Sequence, residues 1–482
     1  MQKIIGRAKE ISELNDVYTS GVPEFVVIYG RRRVGKTFLI REMFAEKFAF
    51  YHTGLAPQDI DETNMMNSQL NNFASSLRNY GEQCGVIKDW ISAFSKLKTL
   101  LINRIEKNPK KRQVVFIDEL PWLDTPRSQF ISALEHFWNG WGSGISQLML
   151  IVCGSAIAWI SDNLLHNKGG LYNRKTREIK LHSFTLCEAE QFYKSRGIVL
   201  NRYTQSQLYM MIGGIPYYMT YVEKGKSLEQ ITDNLFANRN GKLRNELDQL
   251  FVSLFTNHEE CLKIIKLLSK SKIGYTRKEI AEITKIPYGG GLTKTLKALA
   301  ESDFICQYTY YGKPSKEERY RLVDFFTIYQ LSIINNKKNP DSKDWKDRFG
   351  LKVMSAWYGT AFEALCWNHI YQIKNALGIP SVHTEEFSWR VEASEITKGA
   401  QIDLMIRRAD GIFNLCEMKF SISDYAFDKD EENKLRNRIA TFQNITKCKE
   451  PIMPILVTTY GLTQNIYSNL IQKTITMDDL FK

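Results

Sequence analysis

The sequence predicts a multidomain α/β protein that begins with a parallel, doubly wound sheet. Three short apolar runs, at 25–29, 114–117 and 148–153, end at turns and alternate with stretches of helical periodicity. Residues 256–330 change to short helical periods with many lysines, and residues 399–420 have the pattern of two strands around an Asp-Gly turn. At ~100–200 residues per domain, a chain of 482 residues is expected to form three or four domains.

The composition is that of a globular protein in a reducing compartment. Hydrophobic residues make up 43% of the chain, and no segment approaches the ~18 continuous apolar residues of a membrane span. Arg7, Lys9 and Glu10 stand where a signal peptide would need an apolar stretch. The eight cysteines are scattered singly, without the spacing of a zinc site or a disulfide framework. We expect a cytoplasmic protein with no membrane partner.

The net charge of +12 is unevenly distributed along the chain. Residues 1–255 carry +7 and residues 256–345 carry +5, whereas residues 346–482 contain 17 basic and 17 acidic side chains. If the last part of the chain meets nucleic acid, the long-range attraction must therefore come largely from the segments before it.

A glycine-rich loop follows the first apolar run. It has the pattern G-x-x-x-x-G-K-T between a predicted strand and a predicted helix. Backbone N–H groups of such loops wrap phosphates, while Lys36 would reach the β and γ oxygens and Thr37 would ligate Mg²⁺. We expect ATP and Mg²⁺ as cofactors. The residues predicted to contact the nucleotide are Gly30, Arg31, Arg32, Arg33, Val34, Gly35, Lys36, Thr37 and Phe38.

The second and third apolar runs end at residues suited to hydrolysis. The run at 114–117 leads into Asp118 and Glu119, which we expect to hold Mg²⁺ and to orient the attacking water. The run at 148–153 ends at Gly154 and Ser155, where the serine is placed to sense the γ-phosphate. A helix cap is the alternative interpretation of both the acidic pair and the serine.

Six motifs in this order resemble the archaeal-type ATPase family of the STAND/AAA+ branch of P-loop proteins. They are IIGRAKEISEL, IYGRRRVGKT, FIDELPWL, CGSA, GGLYNRKTREIKLHSF and GGIPYYM, within residues 1–240. The resemblance implies that Arg174 or Arg177 stimulates hydrolysis in a neighbouring subunit of a homo-oligomer or an ATP-dependent assembly. It also implies that Gly214 and Pro216 lie against the adenine. Surface arginines and a helix-breaking turn are the alternatives.

Residues 256–334 have the pattern of a helix-turn-helix followed by a wing. Thr276 and Glu279 form a capping box that begins one helix, and Pro287 with glycines 289–291 separates it from an apolar-periodic second helix. Two strands around a Gly/Pro/Lys-rich tip come next. The basic residues predicted to contact DNA phosphates are Lys294, Lys297, Lys313, Lys316, Arg319 and Arg321. The alternative is a lid or relay that touches no DNA.

Charged residues interrupt the predicted strand pair at 399–420. Glu417 and Lys419 are two residues apart on one strand and share a face. With Asp403 on the partner strand and Glu363 on the preceding helix, they would form an oxygen-rich site for Mg²⁺ or Mn²⁺, in which the lysine orients or deprotonates water. A solvated sheet face is the alternative interpretation.

The length of the hairpin loop decides whether the two carboxylates converge. A two-residue turn would place Asp403 opposite Met418, with the acids on opposite sides of the hairpin. A three-residue loop at 409–411, with Gly411 in the left-handed region, places Asp403 opposite Glu417. We predict the longer loop, a shared face and a metal-bridging separation of the carboxylates.

These residues resemble the core motif of the PD-(D/E)xK nuclease superfamily. Asp403 and Glu417-Met418-Lys419 match that motif, and Gln443 matches the polar residue often found on its following helix. The sequence departs from the pattern in having QID where a proline or an acid often precedes the aspartate.

The predicted protein is a Mg²⁺-dependent ATPase whose nucleotide state positions a winged helix and a nuclease domain on DNA. The predicted domains are an ATPase domain at 1–180, a helical lid at 181–255, a winged helix at 256–334 and a nuclease-like domain at 346–482, with a linker at 335–345. The family resemblance suggests foreign-DNA defence or mobile-element handling. One rival is a nucleotide-gated switch with an inactive nuclease-like docking domain, and another is a DNA-binding regulator without hydrolysis.

Overall fold

The chain divides into two compact units. A computed structural model describes residues 4–57, 60, 64–165, 169–171, 173–237, 240–312, 318–335, 351–393 and 399–482. One unit reaches to Ser183 and includes Ser253–Thr256, and the other comprises Phe184–Val252 and Asn257–Lys482. The division into four domains stays a prediction, and residues 336–345 of the predicted linker lie outside the described residues. None of the described helices is both long and apolar enough to cross a membrane.

The first unit is built on a five-stranded parallel sheet. Its strands are β1 (Glu24–Tyr29), β2 (Phe48–Thr53), β3 (Gln113–Asp118), β4 (Leu148–Gly154) and β5 (Arg177–Lys180). Their order across the sheet is β2-β3-β4-β1-β5. The predicted parallel sheet is confirmed, and the three apolar runs are its central strands. The edge strands β2 and β5 carry more polar residues and were not predicted.

Helices cover both faces of this sheet. They are α1 (Ala8–Thr19), α2 (Lys36–Phe44), α3 (Met65–Asn79), α4 (Trp90–Lys107), α5 (Leu120–Leu123), α6 (Phe130–Gly140) and α7 (Ile157–Ile160), with shorter turns at Ala45–Lys47, Gly142–Gly144 and Ser161–Leu165. Phe25 and Val27 pack in the core with α3, α4 and α6, whereas Val26 and Ile28 pack with α1 and α2. Because both faces of β1 are buried, residues 25–28 of this strand are all apolar.

Most of the remaining elements belong to the second unit. The helices are α8 (Leu186–Ser195), α9 (Arg202–Ile212), α10 (Pro216–Met219), α11 (Leu228–Thr232), α12 (Glu246–Leu254), α13 (His258–Leu268), α14 (Arg277–Thr284), α15 (Gly290–Glu301), α16 (Phe325–Tyr329), α17 (Leu351–Asn368), α18 (Ile370–Leu377), α19 (Lys429–Thr446) and α20 (Met477–Leu480). Shorter helical turns lie at Asp233–Ala237, Gln330–Ile334 and Ser468–Leu470. The strands are β6 (Tyr275–Thr276), β7 (Ile305–Tyr308), β8 (Arg319–Leu322), β9 (Thr384–Val391), β10 (Ala400–Arg408), β11 (Phe413–Lys419), β12 (Tyr425–Ala426), β13 (Ile452–Thr458), β14 (Leu462–Thr463) and β15 (Lys473–Thr476).

The segment from α13 to β8 contains the predicted helix pair and strand pair. The capping box is confirmed, because Thr276 accepts from the Glu279 amide at 3.2 Å and Glu279 accepts from the Thr276 amide at 2.6 Å. β8 pairs antiparallel with both β6 and β7. One detail of the prediction was wrong: α15 begins at Gly290, so two of the three glycines form its first turn rather than separating the helices.

The strand pair of this segment is anchored on the C-terminal sheet through Tyr311. Its ring stacks on Phe387 at 4.3 Å between centroids and lies 5.8 Å from the ring of Phe442. The Tyr311 amide donates to the carbonyl of Ser388 at 3.2 Å. One end of the hairpin is therefore packed in the core of the neighbouring sheet. Lys313 and Lys316, beyond it, lie outside the described residues.

The C-terminal sheet has the order β15-β13-β11-β10-β9. β9, β10 and β11 are antiparallel, and β11, β13 and β15 are parallel. The predicted three-residue hairpin loop is confirmed, because the Arg408 amide donates to the carbonyl of Ile412 at 2.9 Å and Gly411 has a φ of 82°. Leu404 pairs with Cys416, which places Asp403 opposite Glu417 on one face, as predicted.

A buried histidine makes the stability of the second unit pH-dependent. His369 accepts from the Leu186 amide through Nε2 at 3.1 Å, and its Nδ1 lies 2.9 Å from the carbonyl of Leu365. Burial lowers the pKa of His369 to about 4, while the Leu365 hydrogen bond opposes that shift. The ring of Tyr209 packs against it, and none of the described charged groups contributes to the shift. The imidazole is therefore neutral in the folded protein.

We predict that acidification removes the stability contributed by the neutral His369. At His369 the unfolded chain binds a proton near pH 6.5 but the folded chain only near pH 4, so the stability that this residue contributes is fully present above pH 6.5 and is lost as the pH falls. The loss of this contribution between pH 7 and pH 5 is expected to be about 2 kcal/mol, whereas Glu363, whose pKa burial raises to about 7, changes stability in the opposite direction. Urea unfolding of the wild type and of His369→Gln at both pH values measures this contribution as the pH-dependent part of the difference in their stabilities. His369→Gln should remove this contribution, whereas replacing the exposed His383 with glutamine should leave the pH dependence of the wild type unchanged.

Candidate functional site

The loop between β1 and α2 has the geometry of a phosphate-binding loop. Gly30 and Gly35 have φ angles of 151° and 92°, which favour glycine, and α2 begins at Lys36. The buried Lys36 ammonium donates to the carbonyls of Gly30 at 2.9 Å and Arg31 at 3.1 Å. The lysine side chain therefore folds back across its own loop, where phosphate oxygens could replace the two carbonyls as acceptors.

Thr37 and Asp118 meet between this loop and the end of β3. The Thr37 hydroxyl donates to Oδ2 of Asp118 at 2.8 Å, and the Cys153 thiol donates to Oδ1 at 2.7 Å. Asp118 is only 2% exposed. A hydroxyl and a carboxylate from these two elements are oxygen donors of the kind that Mg²⁺ prefers. This pair therefore fits the predicted magnesium ion.

Glu119 is held by Ser155 at the carboxyl ends of β3 and β4. The Ser155 hydroxyl donates to the two carboxylate oxygens at 3.1 and 2.9 Å, and its amide donates at 3.2 Å. Burial raises the pKa of Glu119, and the charge of Asp118 raises it further, while Lys36 and the Ser155 hydrogen bonds lower it. Glu119 also adopts a left-handed conformation with φ of 49°. Ser155, predicted as a phosphate sensor, fixes the orientation of this carboxylate.

The other predicted nucleotide contacts lie in several environments. Val34 is buried in the core beside α2, so only its backbone can face a ligand. Arg31 is buried, Arg32 and Arg33 are partly exposed, and Phe38 is 42% exposed. Arg174 and Arg177 are exposed on the first unit, and Gly214 and Pro216 belong to the second unit. The roles of these residues stay predictions.

Arg7 was not predicted to support the loop. Its guanidinium donates to the carbonyl of Val34 at 3.0 Å and to that of His182 at 2.7 Å, and only 5% of the residue is exposed. It therefore ties the phosphate-binding loop to the segment after β5. The motif IIGRAKEISEL contains this arginine, but nothing in the local sequence indicates its partners.

Substitution of Gly30 should destabilise the first unit. A Cβ at this position would collide with the carbonyl oxygen of Leu181, whose amide also bonds to Tyr29 at 2.8 Å. We predict that Gly30→Ala lowers the free energy of unfolding by about 1–3 kcal/mol, measured by urea unfolding without nucleotide. Gly85→Ala is the matched control, because a Cβ there meets nothing within 4 Å. Equal stability of the two variants would contradict the predicted close approach.

A second group of charged residues lies in the C-terminal sheet. Burial raises the pKa of Glu363 to about 7, and the charges of Asp403 and Glu417 raise it further, against Lys272 and Lys419. The four predicted residues of this site therefore lie within electrostatic reach of one another. Gln401 donates to Asp403 at 2.5 Å.

The carboxylates as arranged do not fit a metal ion. The two oxygens of Glu417 are engaged by Lys419 at 3.0 Å and by Arg438 at 2.5 Å. Lys419 also pairs with Glu431 at 3.4 Å. In the described part of the chain, no three acidic, His or Cys side chains are arranged to hold a cation. The shared face of the two acids was predicted correctly, but basic side chains occupy Glu417.

Three further residues around these sites were not predicted from the sequence. Cys153 lies beside Asp118 because Ile117 pairs with Val152 in the sheet, and that neighbour relation requires the strand order. Glu431 and Arg438 are seven residues apart on α19 and so share one face of the helix. Their helical spacing was a usable signal, although it does not reveal that the helix packs over Glu417.

Comparison with known proteins identifies the first part of the chain. Residues 4–222 match the model of a family described as an ATPase domain predominantly from Archaea. This part of the chain resembles an archaeal-type ATPase domain. The family resemblance inferred from the motifs is thereby confirmed for the ATPase domain, and its loop from Gly30 to Thr37 is the expected nucleotide site.

Similarity to other proteins extends over about two thirds of the chain. An uncharacterized protein of Methanocaldococcus jannaschii is 25% identical over 337 residues, which cover 68% of each chain. A Walker-type ATPase of Pyrococcus abyssi matches with a TM-score of 0.49 and 16% identity, covering 68% of this chain and 96% of that chain. The ORC2 protein of Aeropyrum pernix matches with a TM-score of 0.43 and 16% identity, covering 70% and 94%.

Proposed function

We propose that the ATPase domain hydrolyses ATP with Mg²⁺ and that its nucleotide state controls the contact of the second unit with DNA. The observation that carries the first part is the hydrogen bond of 2.8 Å between Thr37 and Asp118. It joins the phosphate-binding loop to the acidic end of β3, which is the arrangement that a nucleotide-bound magnesium ion requires. The serine-held Glu119 completes the site.

Each side chain has a separate task in this proposal. Lys36 exchanges the carbonyls of Gly30 and Arg31 for the β and γ oxygens of ATP. Thr37 and Asp118 would hold Mg²⁺, whose charge offsets that of the phosphates. Glu119, oriented by Ser155, positions and polarises the attacking water. Because burial and Asp118 already raise the pKa of Glu119, this carboxylate is a better proton acceptor than an exposed one.

The test is ATP binding and phosphate release by the purified protein with Mg²⁺ and after chelation with EDTA. We expect ATP-dependent phosphate release that disappears on chelation and returns when Mg²⁺ is added. A protein without affinity for ATP in the presence of Mg²⁺ would refute the proposal.

DNA is the partner that the charge distribution supports. Residues before 346 carry the net positive charge of the chain, and Lys294 and Lys297 are exposed on α15. We therefore assign the winged-helix role to the segment from α13 to β8. Arg319 is less suited to phosphate contact than expected, because it donates to the carbonyls of Ile273 at 3.1 Å and Gly274 at 3.0 Å.

The same proposal covers assembly and location. Arg174, exposed on the ATPase domain, is assigned to the hydrolytic site of a neighbouring subunit in a nucleotide-dependent oligomer. All eight cysteines are free thiols, which supports a reducing, cytoplasmic location. Foreign-DNA defence or mobile-element handling would use such an ATP-controlled DNA contact.

A second candidate function is DNA cleavage by the C-terminal sheet, as in PD-(D/E)xK nucleases. The register that places Asp403 opposite Glu417, together with the nearby Glu363 and Lys419, favours it. Arg438 opposes it by binding Glu417. The rival is a docking domain derived from a nuclease.

A plasmid-nicking assay with Mn²⁺ distinguishes the nuclease from the docking domain. If the site is a nuclease, Arg438→Gln should free Glu417 and increase nicking, and Lys419→Ala should reduce it to background. Arg436→Gln is the matched control, since Arg436 lies on the same helix and pairs with Glu432 instead. Background nicking by the wild type and by every variant would refute the nuclease and favour the docking domain.

A further inference from the structure

The second unit contains a cavity of about 290 Å³ between the helix-turn-helix segment and the C-terminal domain. Its wall includes Tyr308 of β7, Arg321 of β8, and Trp357 and Trp367 of α17. Glu363 and Asp403 also line the cavity, which therefore opens onto the cluster of carboxylates described above. Its size is near the low end for ligand-binding pockets, about 300 Å³, which suits one small, flat ligand.

Four aromatic side chains and a planar cation line the cavity. The Arg321 guanidinium lies 5.0 Å from the ring centroid of Tyr308 and 5.2 Å from that of Trp367. The Tyr308 hydroxyl is fixed by the carbonyl of Ile273 at 2.7 Å, and the Trp367 indole donates to the carbonyl of Asp403 at 3.2 Å. These bonds hold the rings in place, so a flat ligand would meet a preformed stacking surface.

One buried donor in this wall lacks a partner. Trp357 is only 8% exposed, and its indole nitrogen has no hydrogen-bond partner among the described residues. Its ring is fixed by the edge-on ring of Tyr329 at 5.1 Å and by Tyr358 at 5.2 Å. A buried N–H without an acceptor is costly. A ligand that carries a hydrogen-bond acceptor into the cavity would remove that cost.

The charged residues of the cavity further restrict the chemical class of the ligand. Lys272 lies at the exposed margin of the cavity and Arg321 within its wall, so two cations can meet a phosphate. A flat ring with acceptor atoms, joined to a phosphate, is a nucleotide. A bare metal ion would leave the aromatic wall unused, and an apolar ligand would leave Lys272 and the Trp357 N–H unused.

We propose that this cavity binds one unpaired nucleotide of a DNA strand, with the base on Trp367 and the phosphate at Lys272. The proposal rests on the proposed function in taking DNA as the partner. A paired base cannot enter a pocket of this size, so the strand must be single-stranded or must expose one nucleotide from the duplex. Stacking on an aromatic ring tolerates any base, so we expect preference for unpaired structure rather than for sequence.

The test is fluorescence anisotropy with fluorescein-labelled single-stranded oligodeoxyadenylate and with a blunt duplex, both with saturating ADP to fill the phosphate-binding loop. We expect tighter binding of the single strand. Trp367→Ala should weaken it at least about 10-fold, while Trp367→Phe, which keeps a stacking ring, should not. Tyr371→Ala, at an exposed aromatic residue outside the cavity wall, is the control. Thermal unfolding establishes that each variant is folded.

Two further substitutions test the donor and the cation. Trp357→Phe removes the unpartnered N–H and should weaken single-strand binding several-fold. Lys272→Ala should weaken it and reduce its salt dependence, whereas Lys270→Ala, exposed and outside the cavity wall, should have little effect on either.

The outcomes distinguish this proposal from the proposed function. If the protein binds both DNAs and all cavity variants behave as the wild type does, the cavity proposal is refuted and the DNA partner stands. If dAMP binds, its affinity depends on Trp367 and oligonucleotides do not bind, then the ligand is a free nucleotide. The proposal that the cavity binds a DNA strand is then refuted. If no DNA binds at all, the DNA part of the proposed function also fails, while ATP hydrolysis is judged separately.

Discussion

Glu119→Gln is expected to reduce ATP turnover by about 10²-fold or more while leaving ATP binding intact. Glutamine keeps the shape of the side chain and an acceptor for the Ser155 hydroxyl, but it is neutral and cannot take up a proton from water. The loss of charge also removes repulsion from Asp118, which contributes to the raised pKa of Glu119. The variant should therefore fold and bind nucleotide.

This prediction is checked by measuring phosphate release and the affinity for a fluorescent ATP analogue on the same preparation. Glu46→Gln is the matched control, because Glu46 is exposed on the same unit. Unchanged turnover in Glu119→Gln would mean that Glu119 does not position the water, and would favour a DNA-binding regulator without hydrolysis. A loss of nucleotide binding would instead assign Glu119 to the architecture of the loop.

Lys36→Ala is expected to weaken ATP binding about 10- to 150-fold. The ammonium now makes two hydrogen bonds to loop carbonyls, and in the complex it would make them to phosphate. A hydrogen bond to a charged group contributes about 1.5–3 kcal/mol, which corresponds to this change in Kd. Removal of the buried cation also leaves Glu119 without one of the groups that lower its pKa, so turnover should fall as well.

Titration with the same ATP analogue, with Mg²⁺ present, measures the loss. Lys88→Ala is the control, because Lys88 is exposed on the same unit. Lys36→Arg keeps the charge, but a planar guanidinium does not replace a compact ammonium between two carbonyls, so it should restore little affinity. Wild-type affinity in Lys36→Ala would refute the assignment of the loop as the nucleotide site.

Local patterns were sufficient for the elements that carry the chemistry. The glycine positions before Lys36 require φ angles that only glycine readily adopts, and both were found. The apolar runs became the central strands because burial on both faces removes any polar position from them. In the last domain, Gly411 was sufficient to indicate a three-residue loop, and that loop placed Asp403 opposite Glu417.

Partners that are distant in sequence could not be predicted in the same way. Arg7 supports a loop 27 residues away and a carbonyl 175 residues away. Arg438 reaches Glu417 from a helix whose packing depends on the whole C-terminal core. The prediction of a metal site suffered most from such a distant contact. Its acids share a face as predicted, but Arg438 on a neighbouring helix neutralises Glu417.

By itself, the sequence determined the ATPase domain, its phosphate-binding loop, the acidic end of β3 and the register of the C-terminal hairpin. These depend on periodicity, on turn conformation and on residues near one another in the chain. Only the tertiary structure decided that Ser155 holds Glu119, that Arg438 occupies Glu417, and that two segments enclose an aromatic cavity. Those contacts arise from how separate elements pack, which no short stretch of sequence encodes.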